Sequence, residues 1–270
     1  MHYILNAVRG ALIGMAELVP GISGGTVALI VGIYERALHN ANFIFSCKFK
    51  KIEWGFLISV AVGMLAAVFG FSTILHNFVE SQVSVSNALF FGMVAISIIV
   101  PLSMLDAEEK KKPSGWIALI VAAVATFFVT GFTSAPHEDP SLIIVFFAAA
   151  IAVCALILPG VSGSLILLTM GLYAPIIGAV SDRHIPTLLV FMAGALCGLA
   201  GFVKLLNYLL DNHRAPTLMA MSGFMLGSLR ALWPFGEGQD AGIGSIVLAM
   251  AAGIAIVGAF ILIDRRMAKN

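Results

Sequence analysis

Charge is what this sequence has least of. Only 11% of its 270 residues are Asp, Glu, Lys or Arg, against about a quarter in soluble domains. With 60% hydrophobic residues and a mean hydropathy of +1.03, the chain cannot cover its long apolar segments with polar surface, which excludes a soluble globular domain and indicates a polytopic membrane protein. Cysteine is equally sparse. Cys47, Cys154 and Cys197 form no CxxC pair, which argues against a disulfide framework or a zinc site. The six histidines, His2, His39, His76, His137, His184 and His213, fall near segment ends or in loops, so neither a buried metal centre nor any other cofactor is expected. No basic cluster accompanies the net charge of +1, and no nucleic-acid partner is implied. The N-terminal stretch MHYILNAVRGALIGMA turns from weakly polar to apolar as a signal peptide does. Its pattern reappears before a second motif deep in the chain, where no signal could stand, so it is read as retained structure.

What the sequence does have is a phrase written twice. Residues 17 to 34 read ELVPGISGGTVALIVGIY and residues 156 to 173 read LILPGVSGSLILLTMGLY, so that Pro, Gly, Ser, Gly, a further Gly and Tyr recur at an offset of 139. Gly63, Gly70, Phe71, Gly92 and Ser97 match Gly194, Gly201, Phe202, Gly223 and Ser228 at an offset of 131. The chain is thus read as one membrane domain over 1–270, with a first repeat over about 1–133 and a second over about 141–263. Helix-breaking Pro-Gly inside hydrophobic sequence is tolerated only where protein or a water-filled cavity satisfies the freed backbone, and repeats with such breaks mark transporters.

Apolar runs of spanning length occupy about 54–76, 86–105, 116–132, 187–210, 217–233 and 241–263, six candidate transmembrane helices. The motif regions, 3–38 and 142–180, are each read as a helical hairpin, re-entrant or fully spanning, of two arms meeting at Pro-Gly. A hairpin followed by three crossings inverts the second half. It also gathers Arg9, Arg36, Lys48, Lys50, Lys51, Lys110, Lys111, Lys112, Arg214, Arg265, Arg266 and Lys269 on one side and leaves Arg183 as the basic residue of the other. That distribution satisfies the positive-inside rule and predicts cytoplasmic termini. The fold expected is therefore all-α and polytopic, an inverted repeat in which each half is a Pro-Gly-broken, re-entrant hairpin plus three transmembrane helices.

In Pro20-Gly21-Ile22-Ser23-Gly24-Gly25-Thr26, proline ends one arm and glycine permits a tight turn. Ser23 is a natural N-cap for an arm running to about Leu38, whose first amides form an anion-receptive end inside the membrane. Pro159-Gly160-Val161-Ser162-Gly163-Ser164 is expected to do the same from the other side. The plainer alternative is close helix packing by small residues. Glu17 and Arg230, whose repeat mates are Leu156 and Ile99, are charges at membrane depth and so functional candidates. Arg230 could bind a phosphate through two parallel hydrogen bonds or snorkel outward past Trp233. Glu17 could carry a proton, pair with Arg230, or cap amides at the hairpin tip. Tyr34 and Tyr173 are read as interfacial anchors, and Gly194-x-x-x-Gly198 as a weak packing signal.

With ELVPGISGGT, GIYERAL, LPGVSGS and GSLRALWP in view, the chain resembles the polyprenyl-phosphate transporter family, long catalogued only as a domain of unknown function. The resemblance implies a flippase, or translocase, that returns undecaprenyl phosphate, the lipid carrier of cell-envelope and peptidoglycan synthesis, across the bacterial cytoplasmic (inner) membrane. It also implies a substrate site built from Glu17, Pro20, Gly21, Ser23, Gly24, Gly25 and Thr26 of the first motif, Pro159, Gly160, Ser162, Gly163 and Ser164 of the second, and Arg230. Ser164 and Leu165 stand where the first motif has Gly25 and Thr26, so the hairpins are not chemically equal. The partners expected are the lipid substrate, the bilayer and a coupling proton or ion on Glu17; assembly as a homo-oligomer is compatible with the sequence. A permease or channel for a small soluble anion could use the same hairpins. An intramembrane enzyme is disfavoured, because no histidine lies beside Ser23 or Ser162 to serve as base.

Overall fold

The structure is a computed structural model that describes residues 2–17, 23–132, 140–235 and 240–267. Among these residues helix joined by short turns is the regular structure, and there is no strand. In chain order they form α1 (His2–Glu17), α2 (Gly24–Ile30), α3 (Tyr34–Phe45), α4 (Trp54–Ser81), α5 (Val83–Ser97), α6 (Ile99–Ser103), α7 (Ala107–Lys110), α8 (Pro113–Val129), α9 (Leu142–Ile157), α10 (Gly163–Thr169), α11 (Tyr173–Ser181), α12 (Ile185–Asn212), α13 (Arg214–Ser228) and α14 (Ile243–Met267). Trp54–Phe71, Val83–Ser103 and Ile185–Asn212 are long and apolar enough to cross a membrane, and Pro113–Val129, Leu142–Ile157 and Ile243–Ala259 are shorter apolar helices. Their outward faces carry large apolar side chains such as Ile58, Val62, Phe69, Ile117, Leu196 and Leu248, the surface that lipid rather than water would cover. The chain is an all-α, multi-pass membrane protein.

Four helix pairs dominate the packing: α1 with α4, α9 with α12, α5 with α14 and α13 with α8. The first two are repeat mates of one another, and so are the last two, which exchange helices between the halves. The contacts follow the same correspondence residue by residue. A side chain at Gly63 would collide with the Ala7 carbonyl, and one at its mate Gly194 with the Phe146 carbonyl, the mate of Ala7. Likewise Gly92 abuts the Met250 carbonyl and Gly223 the Leu119 carbonyl. Such backbone contact is how helices associate where no hydrophobic effect drives them together. Gly194 and Gly198 both seat on α9, so this spacing is a genuine packing face.

The registers show that each pair runs parallel. Tyr3 meets Gly55 and Gly14 meets Met64; Gly115, Leu119 and Ala123 meet Met219, Gly223 and Gly227 in step. Because α1 and α4 are parallel, the residues between them bring the chain back to the level at which α1 began. That is the behaviour of a hairpin.

The returning arm differs from the expectation. The first helix after each break has only seven residues, about 10 Å of rise against a membrane core of about 30 Å. The arm expected to reach Leu38 stops at Ile30, because Gly32 adopts φ +71 and its neighbours close the helix: Ile33 N donates to Ala28 O at 2.9 Å and Gly32 N to Leu29 O at 3.2 Å. The second arm ends identically, with Gly171 at φ +69 and Leu172 N donating to Leu167 O at 2.8 Å. This is the helix stop in which a glycine takes the left-handed conformation and an apolar residue follows it into the core; Ile33 and Leu172 are both fully buried. Beyond the second stop the chain turns through 112° into α11.

The span expected over 217–233 is also shorter. Helix α13 ends at Ser228, about 22 Å long, and hydrogen-bonded turns carry the chain to Trp233. Leu218, Met219, Met221, Ser222, Gly223 and Met225 are all buried, so α13 is the central helix and its short reach is covered by protein.

Candidate functional site

The first motif enters the core with Ser23 extended at φ −101, ψ 128. Its Oγ accepts the Gly25 amide at 3.2 Å, so the cap read from the sequence forms. Glu17 Oε1 accepts the Gly24 amide at 3.0 Å. The anion-receptive end of this short arm is therefore occupied by the chain's own carboxylate: of the three readings of Glu17, the structure realises capping, and it does not pair Glu17 with Arg230. Pro20 and Gly21 lie outside the described residues.

In the second motif α9 stops at Ile157 and Leu158 is extended, at φ −69, ψ 129. Gly160 is at φ +84, and a side chain there would stand 2.6 Å from the Met225 backbone of α13, so conformation and space both require glycine. Ser162 takes nearly the backbone angles of Ser23, φ −102, ψ 126, yet caps no amide. Its Oγ lies 2.9 Å from Ser164 Oγ. The expectation that the second motif would cap as the first does is thus corrected, and the reason is local: Ser164 replaces Gly25 and supplies a competing hydroxyl. A side chain at Gly163 would stand 2.6 Å from the Ala152 carbonyl oxygen.

The two motifs meet. Ser23 Oγ is 3.1 Å from the Leu158 carbonyl and 3.4 Å from that of Leu156. Tyr34 donates its hydroxyl to the Ile157 carbonyl at 3.1 Å, and the Gly160 amide donates to Thr26 Oγ1 at 2.8 Å. Three side chains of the first hairpin thereby satisfy the backbone that Pro159 opens in the second, which is the condition for breaking a helix at membrane depth. The reading of both tyrosines as anchors is corrected for one of them: Tyr34 is 7% exposed, whereas Tyr173 is 41% exposed. The recurring Gly-x-Tyr after each short arm carried this information, since a helix stop fixes where the next side chain points.

Beside the junction lies a cleft of about 280 Å³. Glu17, Gly24, Gly25 and Tyr34 stand at its polar end, and Ile13, Leu38, Val60, Met64, Leu199 and Val203 from α1, α3, α4 and α12 make its apolar walls.

Arg230 is held elsewhere. Its Nη1 donates to the Phe127 carbonyl at 2.9 Å and its guanidinium lies 4.5 Å from the Phe127 ring centroid, at the C-terminal end of α8, where carbonyls favour a cation. It does not line the cleft. Its link to the motifs runs through α13: Gly160 rests on Met225, five residues before Arg230.

A further polar group went unrecognised in the sequence. Helix α3 carries Glu35, which lies 2.9 Å from Arg214, close enough for an ion pair though not aligned as a hydrogen bond. Arg36 donates from Nε and Nη2, one edge of its guanidinium, to the two carboxylate oxygens of Glu53 and lies 4.2 Å from the Phe56 ring centroid. Asn40 accepts the Glu53 amide at 2.7 Å, and His39 is 3.9 Å from Asp211. The Arg36 hydrogen bonds, with Asn40 adding, hold the Glu53 carboxyl below its ordinary range. Asp240 is likewise lowered, by the Ser84 hydroxyl and then its amide, which pin the loop before α14 to the start of α5. The repeat mates of Glu35, Arg36 and His39 are Ala174, Pro175 and Gly178, so this network belongs to one half alone.

Parallel helix pairs, two glycine-rich motifs joined through Ser23, Thr26 and Tyr34, and an apolar cleft beside the junction fit a multi-pass membrane protein of the transporter class. The chain belongs to the undecaprenyl phosphate translocase-like family, whose description matches residues 13–262. It is 34% identical over 249 residues to a protein of Vibrio cholerae named polyprenyl-phosphate transporter, covering 88% of this chain and 80% of that one. A protein of the same name from Staphylococcus aureus is 32% identical over 245 residues, 85% and 86% of the two chains. No solved structure matches.

Proposed function

We propose that this protein is a transporter and not an enzyme, and that it carries undecaprenyl phosphate across the bacterial cytoplasmic membrane, with both termini cytoplasmic. The observation that carries the reading is the cleft: apolar along its walls and polar only where the hairpins meet. That gradient suits an amphiphile whose chain stays in hydrocarbon while its headgroup visits the tips, and it suits a small soluble anion poorly, since such an ion would be desolvated along apolar walls. The names of the two relatives point to a polyprenyl phosphate, and the description of the family to its undecaprenyl form. The parallel pairs support an inverted repeat. Reversal of the chain at Gln82, between α4 and α5, and at His213, between α12 and α13, is part of this proposal; with it, the pairs α5–α14 and α8–α13 orient the second half opposite to the first. The ion pairs joining α3 to the α12–α13 turn support placing residues 39–53 and 211–216 on one face, the cytoplasmic one by charge.

In this reading Arg230 receives the phosphate at the outer end of α13, in place of the Phe127 carbonyl, and the headgroup then passes the hairpin tips. Glu17 must leave the Gly24 amide, or take a proton, for a phosphate to come near, because two anions do not share one donor. A proton on Glu17 is the proposed coupling ion.

Binding of undecaprenyl phosphate to the purified protein tests this, with wild type beside Arg230→Gln and undecaprenol as the phosphate-free control. Binding that needs both the phosphate and Arg230, with at least a tenfold loss in the variant, is expected from a charge-assisted pair of about 1.5–3 kcal/mol. Equal binding of undecaprenol, or an indifferent Arg230→Gln, would remove the lipid-phosphate site.

A further inference from the structure

The repeat is symmetric in sequence, but the hairpins are used asymmetrically. Tyr34 is buried with its hydroxyl on the Ile157 carbonyl, beside Ser23 on Leu158 and Thr26 on the Gly160 amide. Its mate Tyr173 stands 41% exposed, and Ser162 spends its hydroxyl on Ser164 within its own hairpin. The neighbouring helices differ in the same sense. Helix α3 packs across the halves on α12, fastened where Asn207 donates to the Leu38 carbonyl at 3.2 Å. Helix α11 packs on α12 of its own half, with no comparable contact to α4 among the described residues. An inverted repeat whose halves hold different conformations describes one member of a pair of states; exchanging the conformations of the halves generates the other, facing the opposite side of the membrane.

We propose that Tyr34 is the positioning residue of the present state, and that in the oppositely facing state the roles exchange: α11 docks on α4 as α3 now docks on α12, and Tyr173 is buried as Tyr34 is now. This rests on the transporter reading above and adds to it the two residues that set the balance between states. Tyr34 touches backbone at the junction and also lines the polar end of the cleft, so its role in the balance between states is read without cargo. Its hydroxyl is satisfied in one state and released in the other, so its loss shifts the equilibrium while leaving the ring's packing in place.

Two cysteine pairs read the two states, in full-length protein in membranes with Cys47, Cys154 and Cys197 replaced by serine. Ala37→Cys with Leu199→Cys spans the existing α3–α12 cleft, whose lining includes both positions. Ile176→Cys with Val68→Cys are their repeat mates and report the α11–α4 contact. With a short thiol cross-linker both pairs are expected to react. Tyr34→Phe should lower the ratio of the first cross-link to the second by about fivefold, the bias of one net hydrogen bond on a two-state equilibrium. Tyr173→Phe should raise it. A merely structural tyrosine would change the yield of folded protein without moving the two ratios in opposite directions. Failure of the 68/176 pair to cross-link in every background, or movement of both variants in the same direction, would overturn the proposal. The measurement needs no cargo, so it fails separately from the reading above: exchange of cross-links without binding of a polyprenyl phosphate condemns the cargo, and binding without exchange condemns the exchange.

Discussion

The two hairpins share a backbone and little else. Both break after an apolar helix, resume for seven residues and stop at a left-handed glycine. The first, however, surrounds its break with Glu17, Ser23, Thr26 and Tyr34, all hydrogen-bonded, where the second has Leu156, a self-paired Ser162, Leu165 and an exposed Tyr173. The first hairpin is the donor of support and the second the recipient. The two copies share what the backbone needs, the left-handed glycine that stops each short helix, and differ in side chains where a single copy of each polar group suffices.

The difference is broken most severely at glycine. Gly160→Ala places a side chain at φ +84 against the Met225 backbone, which cannot yield, and should cost more than about 3 kcal/mol from strain and collision together. Gly24→Ala in the first hairpin meets first the Glu17 side chain, which is flexible, and should cost about 1 kcal/mol. The mate of Gly24, Gly163, would meet the Ala152 carbonyl, so Gly163→Ala should cost more than Gly24→Ala; yield of monodisperse protein in detergent and its melting temperature read all three, and equal losses at 24 and 163 would deny that the hairpins are differently seated. Next comes Thr26→Val, which keeps the shape and removes the acceptor of the buried Gly160 amide; about 1–3 kcal/mol is expected, read from the same melting curve. Leu165→Val at the mate position removes no hydrogen bond and should stay under about 1.5 kcal/mol.

Glu17 sharpens the comparison further. Glu17→Leu converts the first hairpin to the second at that position and strands the Gly24 amide, for about 1–2 kcal/mol. Glu17→Gln retains an oxygen to accept that amide and should match wild type in stability while losing transport of polyprenyl phosphate in proteoliposomes. Transport by Glu17→Gln at the wild-type rate would reduce Glu17 to a cap.

Composition and hydrophobic run length made the membrane class legible and placed an apolar helix at five of the six expected spans, three of them long enough to cross and two shorter, because hydrocarbon thickness leaves few ways to bury such segments. The sixth, α13, was misjudged: length predicts a span only when lipid surrounds the helix, and α13 is surrounded by protein. The site was legible in its residues but less so in their partners. Ser23 as a cap follows from local chemistry. The use of Tyr34 and Thr26 to hold Pro159-Gly160 depends on two segments 123 and 134 residues apart in sequence, and local pattern is silent on such pairs. Arg230 reads as a cation at membrane depth; that it rests on the Phe127 carbonyl depends on the parallel pairing of α8 and α13, which became visible only as helix contacts.

The smallest predicted effect concerns the polar network found on α3 and absent from α11. Glu53 is held below its ordinary range by Arg36. A carboxylate with a depressed folded pKa adds stability that is fully present above its unfolded value, about 4.3, and that is lost as pH falls through the folded value. The Arg36–Glu53 pair is nearly half exposed, at 43% and 47%, so solvent screening keeps the contribution to a few tenths of a kcal/mol. Asp240 shifts in the same direction from its contacts with Ser84, so the acid sensitivity of wild type alone cannot be ascribed to Glu53. The difference between wild type and Glu53→Gln can. Its melting temperature should lie slightly below wild type at pH 7, and the gap should close as pH falls below about 4. A gap that stays constant with pH would mean that Glu53 acts on α3 through Asn40 and the backbone rather than through its charge, and that the two hairpins differ at this face in shape alone.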